Sequence, residues 1–172
     1  LGFMDRAIAD LDACLAIDPA YQNCVRWKAL TVAFAGDDAL GMALFERGVA
    51  AGFSHNRADT FLERLIRDGD LLAATLLMRE MGIPLELQRA IVAAIEQGEP
   101  PVDMDALMSR YPRFENATFH LLLRAYDRAA SYDGRVTTLV AQWDPVRADF
   151  RGSTAFRSII EKQGIPAYWR EH

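Results

Sequence analysis

The stretch Gly36 to Gly48, GDDALGMALFERG, decides the fold, because two other parts of the chain repeat its pattern: GFMDRAIADLDAC (residues 2–14) and GDLLAATLLMREM (residues 69–81). The leading glycines Gly2, Gly36 and Gly69 stand 34 and 33 residues apart. Five residues after each comes a small residue, Ala7, Gly41 or Ala74. Four further on comes a bulky one, Leu11, Phe45 or Met78, and three beyond that Cys14, Gly48 or Met81. A period near 34 residues with a turn, a small residue and a large one a helical turn later marks stacked helix pairs. Neither helix of such a pair buries its apolar face alone, so each leans on the next. Small residues let two backbones approach, and the large one fills the groove between them. The expected class is all-α, built of antiparallel helix pairs.

Outward from the repeats, helices are expected over residues 3–16, 22–35, 37–51, 57–68 and 70–81. Pro84 suits a first helical position, and the helix it opens runs to about Gln97, with Gly98 as a left-handed C-terminal cap. Glu99-Pro100-Pro101 is the firmest break and divides a repeat region, residues 1–98, from a C-terminal region, residues 99–172. Asp103 caps a short helix to Arg110, which Pro112 ends. The segment Phe114–Ala130 reads as one helix with two apolar stripes, leaving Asn116, His120, Arg124 and Asp127 as a narrow polar line. A helix from about Val136 to Trp143 follows, then Asp144-Pro145. Ser153 caps a last helix over 154–163 with Phe156, Ile159 and Ile160 inward; Gly164 closes it and Pro166 forbids its continuation. The expectation is about nine or ten helices.

At 51% hydrophobic and 25% charged residues the 172-residue chain has ordinary globular composition, and its length suits one domain. A net charge of −5 argues against a nucleic-acid surface within the segment. No apolar run approaches the roughly 20 residues needed to cross a bilayer, and a cytoplasmic location is expected, or a periplasmic one if a membrane span lies upstream. Cys14 and Cys24 form no metal motif. Cys14 occupies a small-residue packing position and reads as a buried free thiol, with a disulfide to Cys24 as the alternative.

The residues Ala7, Leu11, Cys14 and Leu15 followed by Asp18-Pro19 resemble the second helix and closing turn of a tetratricopeptide repeat. The likeness weakens along the chain: the second repeat has Phe53 where a closing proline is usual, and the third has Met81 where a small residue is usual. Near the end, Trp143-Asp144-Pro145, Arg151, Phe156, Gly164-Ile165-Pro166 and Tyr168-Trp169 resemble the ending of bacterial tetratricopeptide proteins, among them winged-helix transcriptional regulators and class III adenylate cyclases with C-terminal repeats. Here Gly152-Ser153-Thr154 replaces the usual Asp-Pro approach to the phenylalanine. The resemblance implies a right-handed superhelix in which Arg151, Phe156, Gly164, Tyr168 and Trp169 form a structural cap over the last helix pair. Because Gly2 falls at an intra-repeat turn, the chain is expected to be the C-terminal part of a larger bacterial signalling or regulatory protein.

No converging set of acids, bases or nucleophiles appears, and His55, His120 and His172 lack metal-ligand spacing. Neither a catalytic residue, a cofactor nor a metal is therefore expected. Arg26, Glu46 and Arg47 are candidate groove contacts on the repeats. Asn116, His120 and Arg124 are candidates for a ligand-facing edge, against the plainer reading of a solvated stripe. The expected function is a non-enzymatic module binding a protein partner or its own copy. The competing reading is a small-molecule-sensing domain that controls an upstream DNA-binding or cyclase domain.

Overall fold

The computed structural model describes residues 3–52, 58–132 and 145–171, and no strand occurs among them. Gly2, His55, Trp143, His172, the expected helix over 136–143 and the side chain of Trp169 lie outside the described residues. The chain resolves into two compact units, Leu1–Asn56 and Arg57–His172. The Glu99-Pro100-Pro101 break thus lies inside the second unit, between two helices of one core.

The first unit holds α1 (Met4–Ile17), α2 (Gln22–Phe34) and α3 (Asp38–Ala50). Gly36 turns the chain between α2 and α3 with φ 102°, a left-handed backbone that glycine adopts without a Cβ clash. Next to it, the Asp37 carboxylate accepts a hydrogen bond from the Leu40 N–H and caps α3, a contact worth about 1 kcal/mol. α3 then buries Gly41, Leu44, Phe45 and Gly48, one stripe at helical spacing, against the C-terminal half of α2. Ala29 and Ala33 there have no exposed surface. A Cβ added at Gly41 would lie 2.8 Å from the Ala33 Cβ and 2.9 Å from the Ala29 carbonyl oxygen, so the small position of the repeat is a point of backbone approach. α1 packs on α2 and buries no residue fully; Ala7, Leu11, Cys14 and Leu15 are half-buried along its inner side. The thiol reading of Cys14 is corrected: Cys14 and Cys24 form a disulfide across a sequence separation of 10, tying the last turn of α1 to the first turn of α2. Asp18-Pro19 folds back tightly enough, with Tyr21 N–H donating to the Asp18 carbonyl, to bring the two cysteines together.

The second unit contains α4 (Ala58–Arg67), α5 (Leu71–Glu80), α6 (Leu85–Gln97) and α7 (Met104–Arg110), followed by α8 (Ala117–Leu122) and α9 (Tyr126–Ser131). It ends with α10 (Ala148–Gly152), α11 (Thr154–Lys162) and α12 (Ile165–Glu171). Local signals set most boundaries. Asp70, Asp103, Asn116 and Ser153 each accept a backbone N–H at a helix start, while Gly69 and Gly98 close helices with positive φ. The repeat positions Ala74 and Met78 are buried with Leu62, Ile66, Leu87 and Ile91 in the main core. A second cluster joins Leu121, Ala129, Phe150, Phe156 and Ile159, with Phe150 and Phe156 edge to face at 5.3 Å.

Three expectations are corrected here. The segment Phe114–Ala130 is not one helix: Pro112–Phe114 is a 3-10 turn, and the backbone breaks between α8 and α9, where Arg124 takes φ 58°. Pro166 does not end helical structure. Gly164 (φ 70°) closes α11, and Pro166 sits in the first turn of α12, where its missing N–H has no intrahelical partner to lose. The helices are therefore more numerous and shorter than expected, twelve among the described residues.

Candidate functional site

In the first unit the end of α1, the linker after it and the facing sides of α2 and α3 enclose an open groove of about 390 Å³. Leu15, Val25 and Leu44 supply apolar surface, Gly48 keeps its bottom low, and Lys28 and Arg47 are its charged residues. No carboxylate lines it. A smaller recess shares Val25, Leu44 and Gly48 and adds Arg26. Two of the candidate groove contacts, Arg26 and Arg47, thus fall on adjoining concave surfaces, because residue 26, near the start of α2, shares its recess with residues of the last turns of α3. Their states differ. The Arg26 guanidinium donates to Asn23 Oδ1 at 2.8 Å, Lys28 pairs with Asp12, and Arg47 is exposed with no partner among the described residues. Glu46 is exposed and lines neither surface.

The other three candidates are internal. Asn116 caps α8, its side-chain oxygen accepting from the Phe119 N–H at 3.2 Å. His120 has no exposed surface; its Nε2 lies 2.9 Å from Glu115 Oε1, which also accepts from the Tyr132 hydroxyl at 2.7 Å. Arg124, 4% exposed, donates from Nη1 to Glu63 Oε1 at 2.8 Å and to the Tyr126 hydroxyl at 3.1 Å. Of the expected polar line, His120 and Arg124 are drawn inward and Asn116 is half-buried, while Asp127 stays exposed.

The break at Arg124 exposes what residue spacing missed. α4 carries Asp59, Glu63 and Arg67 at successive turns, and the first two are buried. Arg147 donates to Asp59 Oδ2 at 2.6 Å, and its Nε lies 3.7 Å from Glu63 Oε2; Arg67 donates to Asp149 Oδ2 at 2.7 Å. The partners are far apart in sequence, 61 residues for Glu63 and Arg124 and 88 for Asp59 and Arg147. A charged stripe on one helix was the only available signal. Burial pushes the Glu63 carboxyl above its usual range, against the pull of Arg147, Arg124 and Arg67. Asp149, hydrogen-bonded by Arg67, is held below its own. Buried charges persist only when paired, and these pairs fasten α4 to the C-terminal elements of the same unit.

Beside the break, α9 and the start of α11 border an open cleft of about 490 Å³ lined in part by Pro100, Met104, Tyr126, Arg128 and Thr154. Arg128 is paired with Asp105. Of the expected cap, Phe156 is buried, Arg151 is half-buried and Gly164 closes α11, whereas Tyr168, within α12, is 61% exposed. Among the described residues no three His, Cys, Asp or Glu side chains cluster to hold a metal ion, and no helix is long and apolar enough to cross a membrane. Comparison with family models, curated proteins and solved structures gave no match.

Proposed function

We propose that the chain is a non-catalytic, tetratricopeptide-like interaction module whose first unit holds an acidic amphipathic helix of a partner protein. The observation that carries this reading is the groove between α1, α2 and α3: apolar at Leu15, Val25 and Leu44, with no carboxylate in its lining, and bearing Arg47, unpaired among the described residues, beside Lys28, whose charge Asp12 already meets. A helix lays its apolar residues into such a groove at i, i+3, i+4 and i+7. Flanking carboxylates on that helix meet Arg47, which is free to pair, and complementary charge of this kind fixes register and speeds encounter. A non-catalytic role is supported by the interior carboxylates Asp59 and Glu63, each already held by an arginine. The Cys14–Cys24 disulfide supports an oxidising compartment in place of the cytoplasmic location expected from the sequence.

The test is fluorescence anisotropy with two labelled helical peptides that share one leucine stripe and differ only in flanking glutamates or lysines. The glutamate peptide should bind more tightly, and Arg47→Glu should weaken it about tenfold, or about 1.4 kcal/mol, while the fold is kept because Arg47 is exposed. Equal affinity for both peptides, or an Arg47→Glu protein that binds as the parent does, overturns the reading.

A further inference from the structure

We infer that the face formed by α5 and α6 in the second unit is a two-fold surface that pairs with a second copy of this chain. This face carries the most concentrated exposed apolar surface in that unit: Leu72 is 73% exposed, Leu76 51% and Leu85 58%, with Leu71 at 42% beside them. Several exposed leucines on two helices that border one groove mark an interaction surface, whereas isolated exposed leucines need no explanation. Between the two helices runs an open groove of about 330 Å³, lined by Leu71, Met78, Leu85 and Val92 and bordered by Arg89 and Glu96.

The two charges identify the occupant. Arg89 and Glu96 are exposed, have no partner among the described residues, and sit seven residues apart on α6, which places them two turns and about 10 Å apart on one side of the helix. Val92 and Ala93 lie midway between them and also line the groove. A closed two-fold contact requires one patch to be complementary to itself. When α6 meets its copy in antiparallel fashion about an axis through Val92 and Ala93, Arg89 of each copy faces Glu96 of the other, and both ion pairs form at once. With α5 alongside α6, the same rotation sets the exposed Leu72 and Leu76 of each copy towards the partner's α5.

Sedimentation equilibrium on the full chain tests this, and it is separate from the peptide titration because it reads a surface in the other unit. The chain should sediment as a dimer at micromolar concentration, and Leu72→Glu should leave a monomer with unchanged helix content. Arg89→Glu and Glu96→Arg, each placing like charges across the axis, should weaken dimerisation at least tenfold, and the combined exchange should restore it. A chain that stays monomeric to about 200 μM, a dimer indifferent to Leu72→Glu, or a combined exchange no better than its single components each overturns the inference. Because all these side chains are exposed, loss of folding does not obscure the outcome.

Discussion

Arg124 holds a left-handed backbone at φ 58°, which costs an L-residue about 1 kcal/mol or more, and it is the only non-glycine to do so among the described residues. What holds it there is the guanidinium, bonded to the buried Glu63 carboxylate and the Tyr126 hydroxyl. The two effects separate by substitution. Arg124→Ala and Arg124→Gly both remove the guanidinium and its hydrogen bond to Glu63, which keeps Arg67 and Arg147 within 4 Å, a loss of about 2–3 kcal/mol for one charged hydrogen bond. The glycine variant additionally relieves the backbone and should be the more stable of the two by about 1 kcal/mol in urea denaturation. Equal stabilities would mean that the chain relaxes out of the left-handed region once the side chain is gone.

At the scale of elements, the contact between α2 and α3 depends on the absence of a side chain. Within a helix, glycine is about 1 kcal/mol worse than alanine, so helix propensity alone predicts that Gly41→Ala stabilises. Packing predicts the reverse, because the new methyl meets the Ala33 Cβ at 2.8 Å and the rigid Ala29 carbonyl at 2.9 Å, and overpacking costs about 1–3 kcal/mol. Hydrogen exchange of the α2 and α3 amides should therefore show protection reduced by about tenfold in Gly41→Ala, whereas Gly152→Ala, where nothing lies within 4 Å, should leave its surroundings unchanged. Increased protection in Gly41→Ala would refute close approach at this position. Elements of this kind were legible in the sequence because their causes are local: Gly36 and Gly69 turn, Asp37, Asp70 and Ser153 cap, and the small and large residues alternate at helical spacing. The break between α8 and α9 was not legible. Every residue from Phe119 to Ala125 is buried, so the apolar pattern is that of a continuous helix, and the reason for the break, Glu63, lies 61 residues away. The candidate site divides in the same way. Arg26 and Arg47 follow from the phase of one helix pair and His120 meets the local Glu115, while Arg124 depends on where a distant helix puts its carboxylate.

For the whole molecule, the separation into Leu1–Asn56 and Arg57–His172 sets how far a local perturbation spreads. The first unit is the more dependent on covalent help. α1 buries no residue fully, so little apolar area holds it against α2, and the Cys14–Cys24 disulfide supplies what packing does not. Closing a loop of about ten residues restricts the unfolded chain enough to contribute about 2–3 kcal/mol. The second unit has no such need, since Leu62, Leu87, Ile91 and Leu122 have no exposed surface within one continuous core. Replacing both cysteines by serine should therefore raise hydrogen exchange throughout α1 and the first turn of α2 by about a hundredfold, the rate change that corresponds to roughly 2.7 kcal/mol. Amides of α4 and α6 should exchange as in the parent. If α4 and α6 lose protection together with α1, the two units unfold as one cooperative body, and the disulfide serves the entire chain instead of the groove-bearing part.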